Sequence, residues 1–156
     1  MATRSGIGAL NPDGTVESVY CHWDGGPEWV GRVLATHYTA PAKVRALLAH
    51  GNISSIGPEI GERHPFNEPN ETVCTFYGRD RGDARQEPRH HETPDAFYAW
   101  AKGSGAEFVY LYTPGGWRWL KATATSSSTD HELWDDLAEA VREGSLQNHK
   151  KSTVST

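Results

Sequence analysis

Residues 4–10, RSGIGAL, and 15–22, TVESVYCH, carry short strand-like apolar runs on either side of Asn11-Pro12-Asp13-Gly14. Two such runs joined by a Pro/Asp/Gly turn predict a β-hairpin. In the second run Val16, Ser18, Tyr20 and His22 share one face, and Val19 and Cys21 share the other with Glu17, so either face is a candidate for the core. Past Asp24-Gly25-Gly26 the spacing lengthens. Pro27 suits the first position of a helix, and Trp29, Val30, Val33, Leu34 and His37 recur at helical spacing. A second short helix is predicted from Thr39 or Ala40, with Val44, Leu47 and Leu48 as its apolar face and Gly51 as a left-handed cap. The following NISSIGPEIGERHPFNEPNE is rich in proline, glycine and polar residues and reads as an exposed, partly ordered loop pinned by Ile53, Ile56 and Ile60.

Residues 72–77, TVCTFY, predict a short strand, and the polar GRDRGDARQEPRHH follows it. Thr93-Pro94-Asp95 combines a cap, a first-turn proline and an acid at the positive end of a helix dipole. Phe97, Trp100 and Ala101 form that helix's buried stripe, and Gly103 and Gly105 end it. EFVYLYTPGGWRWLKA predicts a second hairpin with Phe108, Tyr110 and Tyr112 on one strand face and with Trp117 and Trp119 on the returning strand. Thr129-x-x-Glu132 fits a capping box for a last helix carrying Leu133, Trp134, Leu137, Ala138 and Val141. The expected architecture is α+β: an antiparallel sheet of about five strands with helices packed mainly on one face. A single domain over 1–145 and a flexible tail over 146–156 complete it.

Composition narrows the function classes. At 156 residues the chain suits one domain, and its 37% hydrophobic and 22% charged content is globular. A net charge of -5 argues against binding long nucleic acid through its phosphates. No apolar run reaches the length of a membrane span, and MATRSGIGALNPDG lacks the apolar stretch of a secretory signal. Cytoplasm is the expected compartment, with Cys21 and Cys74 reduced and each filling a half-buried strand position.

Candidate chemistry is sparse. Cys21, His22 and Asp24 have metal-ligating side chains, but adjacent strand residues point to opposite faces, and no HExxH or CxxC is present. No metal or cofactor is expected. Nucleophilic catalysis by Cys21 needs a base that the fold alone could bring. No nucleophile elbow or phosphate-binding P-loop occurs. Arg79 and Arg81 leave a strand between glycines, in a form suited to bidentate contact with phosphate, and Arg4 is a further cationic donor. The six tryptophans and six tyrosines supply stacking surfaces, core or an interface.

The stretch TRSGIGALNPDGTVESVYCHWDGGPEWVG, with LLAHGNISSIGPEIG after it, resembles a family of small proteins commonly encoded by bacteriophages and prophages. The likeness covers residues 2–61 and, weakly, FYGRDRG; its motifs fall at Thr3–Gly8, Tyr20–Gly25 and Leu34–Tyr38. Gly26 stands where the family often has an aromatic residue. The resemblance implies no catalytic role, but a phage accessory protein working in the host cytoplasm against a defence or regulatory pathway.

The expected function is non-enzymatic sequestration of a small phosphate-containing ligand, such as a nucleotide signal. Arg4, Arg79 and Arg81 would hold phosphate, Trp23, Trp29 or Trp117 would stack on a base, and Asp24 would accept from an amino group or ribose hydroxyl. The rivals are a protein-binding inhibitor of a host factor and a small hydrolase or transferase. A homo-oligomer is expected as a way to cover exposed aromatic surface.

Overall fold

The computed structural model describes residues 2–122 and 134–144. Both predicted hairpins form. β1 (Ser5–Leu10) and β2 (Val16–Cys21) pair antiparallel from Ser5↔Cys21 to Leu10↔Val16. Their turn closes through the Asn11 N–H on the Thr15 carbonyl at 2.8 Å, and the Asp13 carboxylate accepts from both the N–H and the hydroxyl of Thr15. β6 (Phe108–Thr113) and β7 (Gly116–Lys121) pair with Tyr110 opposite Trp119 and Tyr112 opposite Trp117.

The way the hairpins join departs from expectation. β6 lies parallel to β1, from Ser5↔Phe108 to Ala9↔Tyr112, and β3 (Ile53–Ser55) lies parallel to β2 at Cys21↔Ile53. With β4 (Thr75–Phe76) and β8 (Asp135–Asp136) the order is β4-β3-β2-β1-β6-β7-β8, and β5 (Arg89–His91) pairs with β2 as a branch. Among the described residues the sheet is therefore mixed and eight-stranded, not a five-stranded antiparallel one. Parallel neighbours need long crossovers, so no turn between them marks the pairing in the sequence. β5 was hidden in a polar stretch because two of its three residues are exposed.

Helices cover both faces, which corrects the one-sided packing expected. On one face Ile7, Val19, Cys21 and Tyr110 pack with Val30, Leu34, Val44 and Leu47, from the helical turn Pro27–Gly31, α1 (Arg32–His37) and α2 (Pro41–Ala49). On the other, Val16, Val109 and Leu111 meet Phe97, Tyr98 and Ala101 of α3 (Pro94–Gly103). Gly6 and Gly8 make that second layer fit: a Cβ on Gly6 would lie 2.9 Å from the Ala101 Cβ, and one on Gly8 2.9 Å from the Phe97 ring. In the fold these glycines are the floor on which α3 rests.

The helix starts follow their local signals. Thr93 Oγ1 accepts from the Ala96 N–H at 3.1 Å, with Asp95 in the first turn of α3. Pro41 opens α2, and Gly51 follows it at φ +80°. The last helix, α4, begins at residue 137 and is helical through 144, later than expected, because Asp135 and Asp136 pair with Trp119 and Arg118 of β7. The Thr129–Glu132 capping box and the 146–156 tail lie outside the described residues. Cys21 and Cys74 are buried and unbridged. Among the described residues no helix is long and apolar enough to cross a membrane.

Candidate functional site

The YCHWDGG stretch becomes a clamped turn beside a cavity. Beyond Cys21 the backbone continues to pair with β3, His22 N–H on Ile53 O and Trp23 N–H on Ser54 O, both at 3.0 Å. Asp24 then takes φ +56°, a left-handed position that aspartate tolerates. The Gly25 N–H binds Thr3 O at 2.8 Å, and the Tyr110 hydroxyl donates to Gly25 O at 2.7 Å. A Cβ on Gly25 would stand 2.7 Å from that same Thr3 oxygen, so the close approach of β1 requires glycine. Pro27–Gly31 follows as a π-helical turn, the Gly31 N–H reaching back to Gly26 O at 3.2 Å. This wide turn carries Trp29, whose Nε1 donates to Ile56 O at 3.0 Å while the Arg32 guanidinium lies over its ring.

Trp23 and Trp29 thereby face a cavity of about 690 Å³. Ile56, Phe66 and Pro69 complete its apolar lining, while Ser54, Ser55, Asn67 and Asn70 supply hydrogen-bonding groups. Its charged groups are acidic, Asp24 and Glu71. The volume and the mixture of aromatic wall with a few polar groups are those of a small-molecule site. Among the described residues Trp23, 45% exposed, is the large hydrophobic side chain left in solvent. Among the described residues the other aromatics are buried or half-buried.

The far wall comes from the loop read as merely exposed. Asp80 anchors it: its carboxylate accepts from Phe76 N–H at 2.8 Å, His64 N–H at 3.1 Å and Arg79 Nε at 2.9 Å. Burial pushes the Asp80 carboxyl up, but these donors outweigh it and hold it below the usual carboxylate range. Phe66 is held from behind. Arg81 stacks over Phe66 and Tyr77 at 4.9 and 4.7 Å while it forks onto Asp83. Phe66, Asn67 and Asn70 escaped the sequence reading because nothing local distinguishes them from solvated loop residues.

The structure brings together Trp23, Asp24 and Trp29 of the residues singled out, and separates the rest. Arg79 is not available to a phosphate. All five of its N–H donors are used, two on Asp80 and one each on the carbonyls of Ile60, Gly61 and Cys74. Arg81 stands behind the Phe66 wall, paired with Asp83. Trp117 is core: it is 6% exposed, and its Nε1 donates to Tyr38 O at 2.8 Å. Arg4 lies off the cavity lining, exposed at the start of β1.

The nucleophiles are poorly placed for catalysis. Burial pushes the Cys21 thiol up to about 12, and Cys74 is also raised, so both are neutral thiols in the interior. Ser18 Oγ and His91 Nε2 lie 2.7 Å apart, but the imidazole packs against Phe97 and Trp100, and burial lowers its pKa. His64 Nε2 faces Cys74 O at 3.0 Å and Thr75 Oγ1 at 3.3 Å, inside the loop anchor. Among the described residues no group of three or more His, Cys, Asp or Glu side chains is placed to hold a metal ion. No family model, curated protein or solved structure matches the chain.

Proposed function

We propose that the protein is a non-enzymatic receptor that sequesters a small planar heterocycle, of nucleobase type, in the cavity between Trp23, Trp29 and Phe66. The observation that carries this reading is Trp23: an indole left 45% exposed at the edge of a 690 Å³ cavity. Stacking a base on such a ring contributes about 1–3 kcal/mol and tolerates any planar partner. Asp24 and Glu71 accept from amino or ring N–H groups, and Asn67, Asn70, Ser54 and Ser55 can pair with a mixed polar edge. Sequestration is favoured over turnover because the thiols are neutral and buried and the Ser18–His91 pair is enclosed by α3. The likeness to phage-borne proteins gives such binding a role in the host cytoplasm, withdrawing a nucleotide signal from a defence or regulatory pathway.

A host protein is the second reading, since an exposed tryptophan also anchors protein interfaces. One experiment separates the two. The purified protein is incubated with host extract, recovered and heat-denatured, and the released compounds are identified by mass spectrometry. An intact heterocyclic compound, retained by the native protein and lost in Trp23→Ala, is expected. A folded protein that retains nothing refutes the small-ligand reading in favour of a protein partner. A chemically altered compound refutes the non-enzymatic assignment.

A further inference from the structure

We infer that the ligand carries a phosphate held outside the cavity by Arg4 and His22, with Tyr20 orienting the imidazole, a subsite that rests on the planar-ligand reading above. The register Ser5↔Cys21 and Gly6↔Tyr20 continues to place Arg4 opposite His22, on the same face of the sheet as Tyr20. That face is covered by α3 as far as Gly103. Just beyond it, Gly105 at φ +88° leaves a gap in which the Arg4 guanidinium lies; a Cβ there would sit 3.0 Å from Arg4 Nη1. Arg4 remains exposed, and among the described residues no carboxylate lies within ion-pair distance of it. It contrasts in this with Arg79 and Arg81, whose guanidinium groups are committed to neighbouring aspartates.

One neutral donor adjoins the guanidinium. The Tyr20 hydroxyl and His22 Nδ1 hydrogen-bond at 2.7 Å, and Arg4 acts on both side chains. Burial first, and the Arg4 charge second, hold the His22 imidazole below its ordinary value. The tautomer with its proton on Nε2 accepts from Tyr20 and leaves a further N–H donor. The His22 ring in turn meets the Trp23 indole edge-on, with centroids 4.7 Å apart. Arg4, Tyr20, His22 and Trp23 thus form a continuous line from a free cation to the rim of the cavity. A planar ring beside Trp23 with a phosphate on Arg4 matches a nucleoside monophosphate or a larger nucleotide. It also resolves a mismatch of charge, because the cavity itself is acidic and repels phosphate.

The test is calorimetric titration of the full chain with adenosine, guanosine, cytidine and uridine, with their 5′-monophosphates, and with inorganic phosphate. At least one monophosphate is expected to bind about tenfold or more tightly than its nucleoside, the gain of a charge-assisted contact. Arg4→Ala is expected to abolish that advantage while nucleoside affinity is unchanged, Arg45→Ala, at an exposed site of α2 off the cavity lining, to preserve it, and Trp23→Ala to weaken both ligands. Arg4 is exposed, so its loss leaves the fold intact, which circular dichroism checks. Equal binding of nucleosides and monophosphates, or an advantage that survives Arg4→Ala, overturns the subsite and leaves the cavity reading standing. Binding of inorganic phosphate that depends on Arg4, with no nucleoside bound, supports the subsite and overturns the cavity reading. Binding of none of these ligands overturns both.

Discussion

Replacing Arg79 by alanine removes five hydrogen bonds at once: two to Asp80, at 2.9 and 3.2 Å, and one each to Ile60, Gly61 and Cys74 carbonyls, at 3.0, 2.8 and 2.9 Å. The Asp80 side chain is wholly shielded, and it would keep its backbone donors, Phe76 and His64, with the His64 imidazole 3.7 Å away. Removing one partner of a buried ion pair costs about 3–5 kcal/mol. The two surviving N–H bonds place this case at the lower end, so a loss of about 3 kcal/mol is expected. In urea unfolding followed by tryptophan fluorescence, that is a midpoint lower by about 1.5 M for a slope near 2 kcal/mol per M. Arg79→Lys recovers only part, because an ammonium has three donors and no planar fork. Adding Asp80→Asn to Arg79→Ala removes the uncompensated charge, so the double variant loses less than the two single losses summed. A stability within about 0.5 kcal/mol of native for Arg79→Ala would refute the reasoning. It would also return Arg79 to candidacy as a free phosphate-binding cation.

Three further outcomes follow from the same geometry. The Asp80 carboxyl is held lower in the folded chain than in the unfolded one; its stabilisation is thus complete above the unfolded value of about 3.9 and is lost as pH falls through the folded value. Urea midpoints measured from neutral pH to about pH 3 should fall less steeply in Asp80→Asn, and parallel curves would contradict the assignment. Cys21 and Cys74, neutral and buried, should resist a disulfide reagent at mild alkaline pH until urea unfolds the chain; rapid labelling of the folded protein would show that a thiol is accessible. Trp23→Ala should alter stability by no more than about 0.5 kcal/mol, as an exposed site does, whereas Trp117→Ala should cost about 3–5 kcal/mol. Equal losses at the two sites would remove the reason for treating Trp23 as a ligand platform.

What the sequence by itself determined was local. The turn at Asn11–Gly14, the prolines opening helices at 27, 41 and 94, the Thr93 cap and the Tyr110–Trp119 hairpin each depend on residues a few positions apart, so their signals survive without the fold. Trp23, Asp24 and Trp29 were also legible as one group, because a single seven-residue stretch carries them. The tertiary structure alone decided how distant segments met. Parallel pairing of β1 with β6 and β2 with β3 satisfies backbone groups across long crossovers that leave no turn signature. Phe66 became a cavity wall because Asp80 anchors its loop, and Gly6 and Gly8 became a helix seat because Phe97 and Ala101 arrive from elsewhere. The arginines show the physical reason most directly. Arg79 and Arg81 look interchangeable in GRDRG, yet one meets three distant or near carbonyls and a shielded aspartate, and the other meets two aromatic rings and Asp83. Arg4, isolated in the sequence, keeps its charge free because no acid folds against it among the described residues. A side chain's chemistry is written in its type, but whether that chemistry is already spent depends on which groups the fold brings within hydrogen-bonding reach.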